Sequence, residues 1–314
     1  MNVKNNCAII GFGNWGKKIS EAVYESNRFE IKYIYDKQYI DKSFHKIQKS
    51  NNINDIVKDK NINTIFIFTP NNLHGYYIKM FANNKKNIFV EKPICNTSKE
   101  ALDVLDECKK NNCKLMVGHN VKYYSIFRKS KNIVEKNLIG DVYHVEMNRS
   151  RPIWKTIDKD SWRFSKKTCN GGPLIQMGLH MIDTVNYLIG FSIEDVKTIG
   201  TNNYLKSENH ETYDIIGTTK DGVTFYLYSS YLPAETFYIN IYGSKGTLFI
   251  DVNRGVFFQK INEFKSKKIT YKKNNPELDE IIDFYNMIQS ENYDYSNVER
   301  AIEDVVDVEK ILDV

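Results

Sequence analysis

The hexapeptide Gly11-Phe12-Gly13-Asn14-Trp15-Gly16 follows directly on the short apolar run Cys7–Ile10 and opens a helical pattern at about Gly16–Glu25. Strand, G-x-G-x-x-G turn and helix in that order fit few architectures. Gly11 allows the tight turn, Gly13 lets the backbone approach a pyrophosphate, and Gly16 lets the helix lie close to the strand. The helix start then offers unpaired N–H groups and the positive end of its dipole to phosphates. Glycines are common in turns, so the motif alone is weak and its context matters. Asp36 closes the next strand pattern, Phe29–Tyr35, where a carboxylate accepts hydrogen bonds from an adenosine ribose. The competing reading, a tight βα turn with an incidental surface Asp, requires all these parts to fall in register by chance. A carboxylate at position 36 repels a 2′-phosphate, which favours NAD. The adjacent Lys37 offsets part of that repulsion and leaves NADP open.

The alternation of patterns continues through the first third of the chain. Thr64–Phe68, Ile88–Val90 and Leu115–Val117 read as short buried strands. Helical patterns lie between them at about Leu73–Asn83 and Ser98–Lys110, the second opened by a capping box of Thr97 and Glu100. Such alternation implies parallel pairing with right-handed crossovers, a doubly wound α/β sheet. The pattern changes after Gly118. A helix over Ser125–Lys136, a strand near Val142–Asn148, the polar stretch Trp154–Asn170 and a helix from about Pro173 to Leu188 follow. From Val196 to Tyr271 the chain reads as consecutive strands, and helices at about Glu277–Gln289 and Asn297–Leu312 close it. The expectation is two domains, residues 1–118 with the parallel sheet and residues 119–314 as α+β with an open, mainly antiparallel sheet.

Bulk properties narrow the classes of function. The 314 residues suit two domains, and 41% hydrophobic with 26% charged residues is ordinary for globular chains. The net charge of +5 is mild and the charges are interspersed, so no nucleic-acid partner is expected, whereas an anionic small substrate is compatible. The five cysteines are odd in number and form no C-x-x-C pair, which reads as reduced thiols with neither a disulfide framework nor a metal site. No apolar run is long enough to span a bilayer and no leader-like segment opens the chain, so a soluble, cytoplasmic protein with no membrane partner is expected.

Polar groups gather at the ends of three more strand patterns: Thr69-Pro70-Asn71-Asn72-Leu73-His74, Glu91-Lys92-Pro93 and Gly118-His119-Asn120. Open α/β sheets bind ligands at the carboxyl ends of their strands. Taken singly, each has a plain reading: Asn71-Asn72 as a helix cap, Lys92 as a solvated lysine, His119 as a turn histidine. Taken together with Gly171-Gly172, Gly178, His180 and Asp183, the order is GxGxxG, Asp, TPxxxH, EKP, GH and GG-x(5)-G-x-H-x-x-D. This order resembles the GFO/IDH/MocA (glucose–fructose oxidoreductase / inositol dehydrogenase) family over nearly the whole chain, including the late turn Ile241-Tyr242-Gly243-Ser244-Lys245-Gly246.

The resemblance implies a Rossmann domain followed by a sheet domain. It implies hydride transfer between a nicotinamide and a carbon bearing a hydroxyl, commonly on a sugar, cyclitol or nucleotide sugar. It also implies a homodimer or homotetramer joined through the sheet face. Residue by residue, it assigns the cofactor to Gly11, Phe12, Gly13, Asn14, Trp15, Gly16, Asp36, Lys37, Thr69, Pro70, Asn71, His74, Glu91 and Lys92. Substrate contacts fall to Lys92, His119, Asn120, Lys122, Arg163, Gln176 and Asp183, and proton transfer to Lys92 or His180. A cis peptide before Pro93 is expected on the same ground.

The chemistry of these residue types can be followed separately. Gln176, His180 and Asp183 recur at i, i+4, i+7, which puts a polar stripe on one face of an otherwise apolar helix. A buried histidine satisfied by Asp183 is the plain alternative. Oxidising an alcohol requires an acceptor for the hydroxyl proton; a desolvated lysine or a histidine near neutrality can serve, and the sequence does not choose between Lys92 and His180. Three points qualify the resemblance. Many family sugar dehydrogenases carry Asp where this chain has Gln176, and a glutamine orients but takes no proton. Lys122 stands where family members often carry Arg and lacks its bidentate fork. Trp162-Arg163 matches a family pair near cofactor and substrate, or else packs under a surface loop. Gln176 keeps a non-enzymatic NAD(H)-binding regulator open as an alternative, and an imine or enone reductase is another.

Overall fold

The computed structural model describes residues 4–37, 44, 47–158 and 160–313. The first part runs β1 (Asn5–Ile10), α1 (Asn14–Glu25), β2 (Phe29–Tyr35), β3 (Gln48–Lys49), α2 (Ile53–Lys58), β4 (Thr64–Ile67), α3 (His74–Ala82), β5 (Asn87–Glu91), α4 (Ser98–Lys110) and β6 (Leu115–Gly118). Its six strands lie in the order β3-β2-β1-β4-β5-β6 and every pair is parallel. The order reverses between β1 and β4, the switch point at which open parallel sheets bind ligands. All residues of β4 and β6 are buried, as expected of strands covered on both faces. Thr97 caps α4 by accepting the Glu100 amide at 3.2 Å. The sequence reading missed α2, a single six-residue stretch capped by Asn52.

The second part runs α5 (Ser125–Glu135), β7 (Val142–Ser150), a π-helical turn at Leu174–Gly178, α6 (Leu179–Ile189), β8 (Ile193–Thr201), β9 (Thr212–Thr219), β10 (Thr224–Ser230), β11 (Thr236–Gly243), β12 (Gly246–Asp251), β13 (Gly255–Lys260) and β14 (Lys267–Ile269). Two helices follow, α7 (Pro276–Gln289) and α8 (Ser296–Leu312). The eight strands lie in the order β14-β13-β12-β11-β7-β10-β9-β8; β7 and β10 are parallel and all other neighbours antiparallel. Burial alternates strictly along β11 and β12, so one face of the sheet enters a core and the other does not. Val145, Met147, Leu227, Ile239, Ile241 and Leu248 meet Leu174, Met181, Ile182 and Val185 in that core.

Backbone contacts gather into two units, through Asn120 with Asn275–Glu303, and Val121–Asn274 with the chain from Asp304 on. The expected second domain, 119–314, is thereby corrected: α7 and the start of α8 join the parallel sheet. The cause is aromatic packing and an edge to be covered. Phe284 of α7 is fully buried, its ring stacked on Phe29 at 5.9 Å and edge-on to Phe66 and Phe89 at 5.5 Å each. The open edge of β6 is met by side chains instead of a strand. The Tyr293 hydroxyl accepts the Leu115 amide at 3.0 Å and donates to its carbonyl at 2.7 Å. Asn297 likewise accepts the Val117 amide at 2.7 Å and donates to its carbonyl at 3.3 Å.

Candidate active site

The turn between β1 and α1 is built as its glycines require. Gly11 has φ +92°, and a Cβ there would lie 2.7 Å from the Phe68 carbonyl carbon and oxygen. A Cβ on Gly16 would lie 2.5 Å from the Gly11 oxygen, so the helix can approach the turn only with glycine at that position. Gly13, the N-cap of α1, differs: a Cβ there meets nothing within 4 Å, and Gly13 and Asn14 are exposed. The first turn of α1 carries no acidic residue that would repel an anion. Asp36, just past β2, accepts the backbone amide of Phe12, which ties the carboxylate to the turn. Lys37 beside it is exposed. Thr69 and Pro70 are half-buried at the end of β4, and the Thr69 hydroxyl is a buried atom with no hydrogen-bond partner among the described residues.

The loops after β4 and β5 are joined through one ring. His74 is 1% exposed; Nδ1 lies 2.7 Å from the Pro93 carbonyl and Nε2 lies 2.9 Å from the Thr69 carbonyl. Both neighbours are acceptors, and a neutral imidazole donates from one nitrogen only. Burial lowers the His74 pKa, the two carbonyls hold it up, the Lys92 charge lowers it again, and the net shift is downward. His74 thus sits inside the loop pair, with both nitrogens turned to backbone. The Lys92-Pro93 peptide is cis, and Lys92 is half-buried.

Glu91 lies buried at the end of β5. Burial pushes its carboxyl up to about 7; the Trp15 indole and the Lys92 charge favour ionisation, and the negative charge of Glu277 opposes it. Glu277, in the first turn of α7, is a buried carboxylate that the sequence reading did not single out. It receives Lys18 Nζ at 2.6 Å and Asn120 Nδ2 at 3.5 Å, while the same Lys18 ammonium lies 5.0 Å from the Trp15 ring centre. Asn71, His119 and Asn120 are all buried.

The remaining expected residues belong to the other unit. Gln176 lies within the π-helical turn and not in regular α-helix, so the expected single α-helical register does not hold through it. The exposure pattern keeps the expected face even so: Gln176 and His180 are half-buried amid buried neighbours, and Asp183 is 2% exposed. Ser229 of β10 donates to the Pro173 carbonyl at 2.8 Å and fixes the start of this turn. Gln176 Nε2 donates to Cys169 Sγ at 3.3 Å. Arg163 stacks over Trp162 with its guanidinium 4.4 Å from a ring centre, and burial lowers its pKa against the pull of Tyr231 and Cys169. Gln176 is thus held against Cys169, a residue that spacing did not reveal. Lys122 lies with its ammonium 5.9 Å from the Tyr123 ring. None of the five cysteines forms a disulfide, and all are buried.

Comparison with known proteins adds the following. The GFO_IDH_MocA family model, described as an oxidoreductase family with an NAD-binding Rossmann fold, matches residues 5–119. The GFO/IDH/MocA C-terminal domain model matches residues 127–249. The chain is 26% identical over 253 residues to an uncharacterized oxidoreductase of Streptococcus pneumoniae serotype 4, covering 78% of this chain and 68% of that protein. It is 26% identical over 200 residues to the 2,7-anhydro-N-acetylneuraminate hydratase of Escherichia coli K12, covering 63% of this chain and 53% of the relative. The second match thus spans about half of the relative's own length. Levoglucosan dehydrogenase, solved in complex with NADH and levoglucosan, shares the fold at a TM-score of 0.87 and 18% identity, over 99% of this chain and 97% of that one.

Proposed function

Since the chain belongs to the GFO/IDH/MocA oxidoreductase family, we propose that it moves a hydride between NAD and a secondary alcohol, or its ketone, on a sugar, cyclitol or nucleotide sugar. The observation that carries this reading is the pairing, within one unit, of an open N-terminal cradle at Gly13 with the Lys92 loop at the carboxyl end of β5.

The residues fit a dinucleotide. Gly13 leaves the space a pyrophosphate needs, the α1 amides face it, Asp36 is placed at the end of β2 for ribose hydroxyls, and the buried Thr69 hydroxyl is left to pair with a ligand. When bound, NAD supplies the hydride acceptor. Asp36 repels a 2′-phosphate and sets the preference for NAD over NADP. Lys92 or His180 takes the proton of the reacting hydroxyl; Asp183 and Gln176 lie on the same helical run as His180, and Gln176 orients without titrating. Arg163 and Lys122 give the pocket positive charge for an anionic substrate group. His74 and Glu277 act through the loops they hold.

Assembly is proposed through the face of the second sheet that the core does not use. That face carries Ile199 and Ile216, 68% and 56% exposed, beside half-buried Tyr226, Tyr228, Tyr238 and Tyr242. A second copy of the chain would cover it, as a homodimer or homotetramer. Among the described residues no helix is long and apolar enough to cross a membrane. A cytoplasmic location remains part of the proposal, on the odd count of cysteines and the lack of a C-x-x-C pair.

The test is mass spectrometry of small molecules released from the purified protein, followed by a sugar, cyclitol and nucleotide-sugar panel read as nicotinamide reduction. Expected are copurified NAD(H) and reduction by at least one alcohol. One relative is named a hydratase, so the panel is also read by product analysis with the cofactor retained. Binding of NAD(H) without conversion of any panel member would favour the regulator reading and overturn this one.

A further inference from the structure

Two stretches of the second unit, within residues 154–158 with 160–165 and over residues 204–208, wall a cavity of about 440 Å³ that the residues discussed so far do not line. Its size falls in the range of small-molecule sites, about 300–1,000 Å³. Trp154 and Tyr204 line it and are 48% and 79% exposed, so both rings offer area to a ligand in the cavity. The exposed carboxylate of Asp160 lines it beside them, and Phe164 forms part of its buried floor.

Both walls are held before any ligand arrives. Glu211 is fully buried, and its carboxylate accepts the backbone amides of Asn203 at 2.8 Å, Tyr204 at 2.9 Å and also Leu205. Three charge-assisted bonds to consecutive amides fix the turn that displays Tyr204. Glu208 ties this loop to the other, accepting the Ser165 hydroxyl and the Lys166 amide at 2.7 Å each. The Trp154 indole donates to the Leu232 carbonyl at 3.4 Å and is flanked by Lys155, whose ammonium lies 5.2 Å from the ring. A site whose walls are ordered in advance loses little entropy on binding.

The cavity is also linked to the candidate active site through packing inside the same unit. Phe164 packs with Ile153, Met177 and Tyr231, and Leu205 and Ile157 lie against that cluster. Met177 is the immediate neighbour of Gln176 in the π-helical turn.

We propose that this cavity is a carbohydrate subsite, which holds a pyranose ring other than the one oxidised by placing its C–H face on Trp154 or Tyr204 and its hydroxyls on Asp160. A pyranose has one apolar C–H face and a rim of hydroxyls, which matches electron-rich ring faces beside a carboxylate. A purely apolar ligand would leave Asp160 unused, and with two carboxylates, Asp160 and Glu208, against one ammonium, Lys206, the lining does not select an anion. The substrate is then a glycoside of at least two rings, an inference that rests on the sugar-oxidoreductase reading above.

The test uses the full chain loaded with NAD. Saturation-transfer NMR and calorimetry would compare glucose, galactose, mannose and N-acetylglucosamine with cellobiose, lactose, mannobiose and chitobiose. At least one disaccharide should bind about tenfold tighter than its monosaccharide. Trp154→Ala and Tyr204→Ala should erase that advantage while leaving monosaccharide affinity and the melting temperature unchanged. Equal affinities for every pair, no binding by any, or an advantage that survives both substitutions would overturn the proposal. Failure of the subsite alone would show as sugar oxidation with no disaccharide preference. Failure of the underlying reading would show as no sugar oxidised at all.

Discussion

A carboxyl group buried beside a lysine can be held in either protonation state, and at Glu91 burial outweighs the lysine, so the group titrates at about 7 against an ordinary 4.5. The folded protein keeps this proton through a range in which the unfolded chain releases it. Stability from this group is therefore fully present below about pH 4.5 and is lost as pH rises through 7, a loss on the order of 3 kcal/mol. Glu91→Gln should remove that slope, seen as a melting temperature that falls less than the wild type's between about pH 5 and pH 8; equal slopes would contradict the assignment. Glu277→Gln removes a charge that raises the Glu91 pKa, so the slope should move to lower pH in that variant. Asp36 yields a prediction of a different kind. Asp36→Ala should improve NADP relative to NAD by about tenfold or more in Kd, measured by calorimetry, because charge repulsion is removed. At this scale the turn glycines were legible because their signals are local: Gly11 and Gly16 are marked by immediate neighbours in sequence. Glu277, Cys169 and Glu211 were not, because each acts on partners far along the chain or outside any spacing rule.

Helix α7 shows what an amphipathic pattern can and cannot reveal. Its existence and bounds follow from Pro276, the Asn275 cap and the apolar periodicity, but no periodicity names the surface it covers. That surface is the parallel sheet, met by Phe284. Phe284→Ala should destabilise the first unit by about 3–5 kcal/mol, read from urea unfolding, whereas a loss under about 1 kcal/mol would mean that the aromatic cluster is not its anchor. The π-helical turn at Leu174–Gly178 was hidden for the opposite reason. Its extra residue per turn leaves the apolar pattern nearly intact, so the stretch reads as continuous α-helix. The alternating strands and helices of the first third were plain because buried parallel strands are short apolar runs bounded by turns. The six-residue α2 is too short to show a period.

At the scale of the whole molecule, two families of contact remain to be tested: between copies of the chain, and between chain and ligands. The open face of the second sheet is laced by Glu146, which accepts the Tyr238 hydroxyl at 2.6 Å and the Tyr242 hydroxyl at 3.0 Å, and by Tyr226, which donates to Asp214 at 2.6 Å. This ordered, partly apolar face suits association with its own copy. Light scattering should show a dimer or tetramer that Ile216→Asp converts to smaller species; a monomeric wild type would contradict assembly through this face. The proposed function joins a nicotinamide site to proton transfer by Lys92 or His180 in one chain. Its most direct test is NAD-dependent conversion of a responding alcohol by the wild type, Lys92→Ala and His180→Ala, with NAD affinity measured alongside. A loss of kcat of about 100-fold or more is expected in at least one variant while the fold and a measurable NAD affinity are retained. Full turnover in both variants would contradict it.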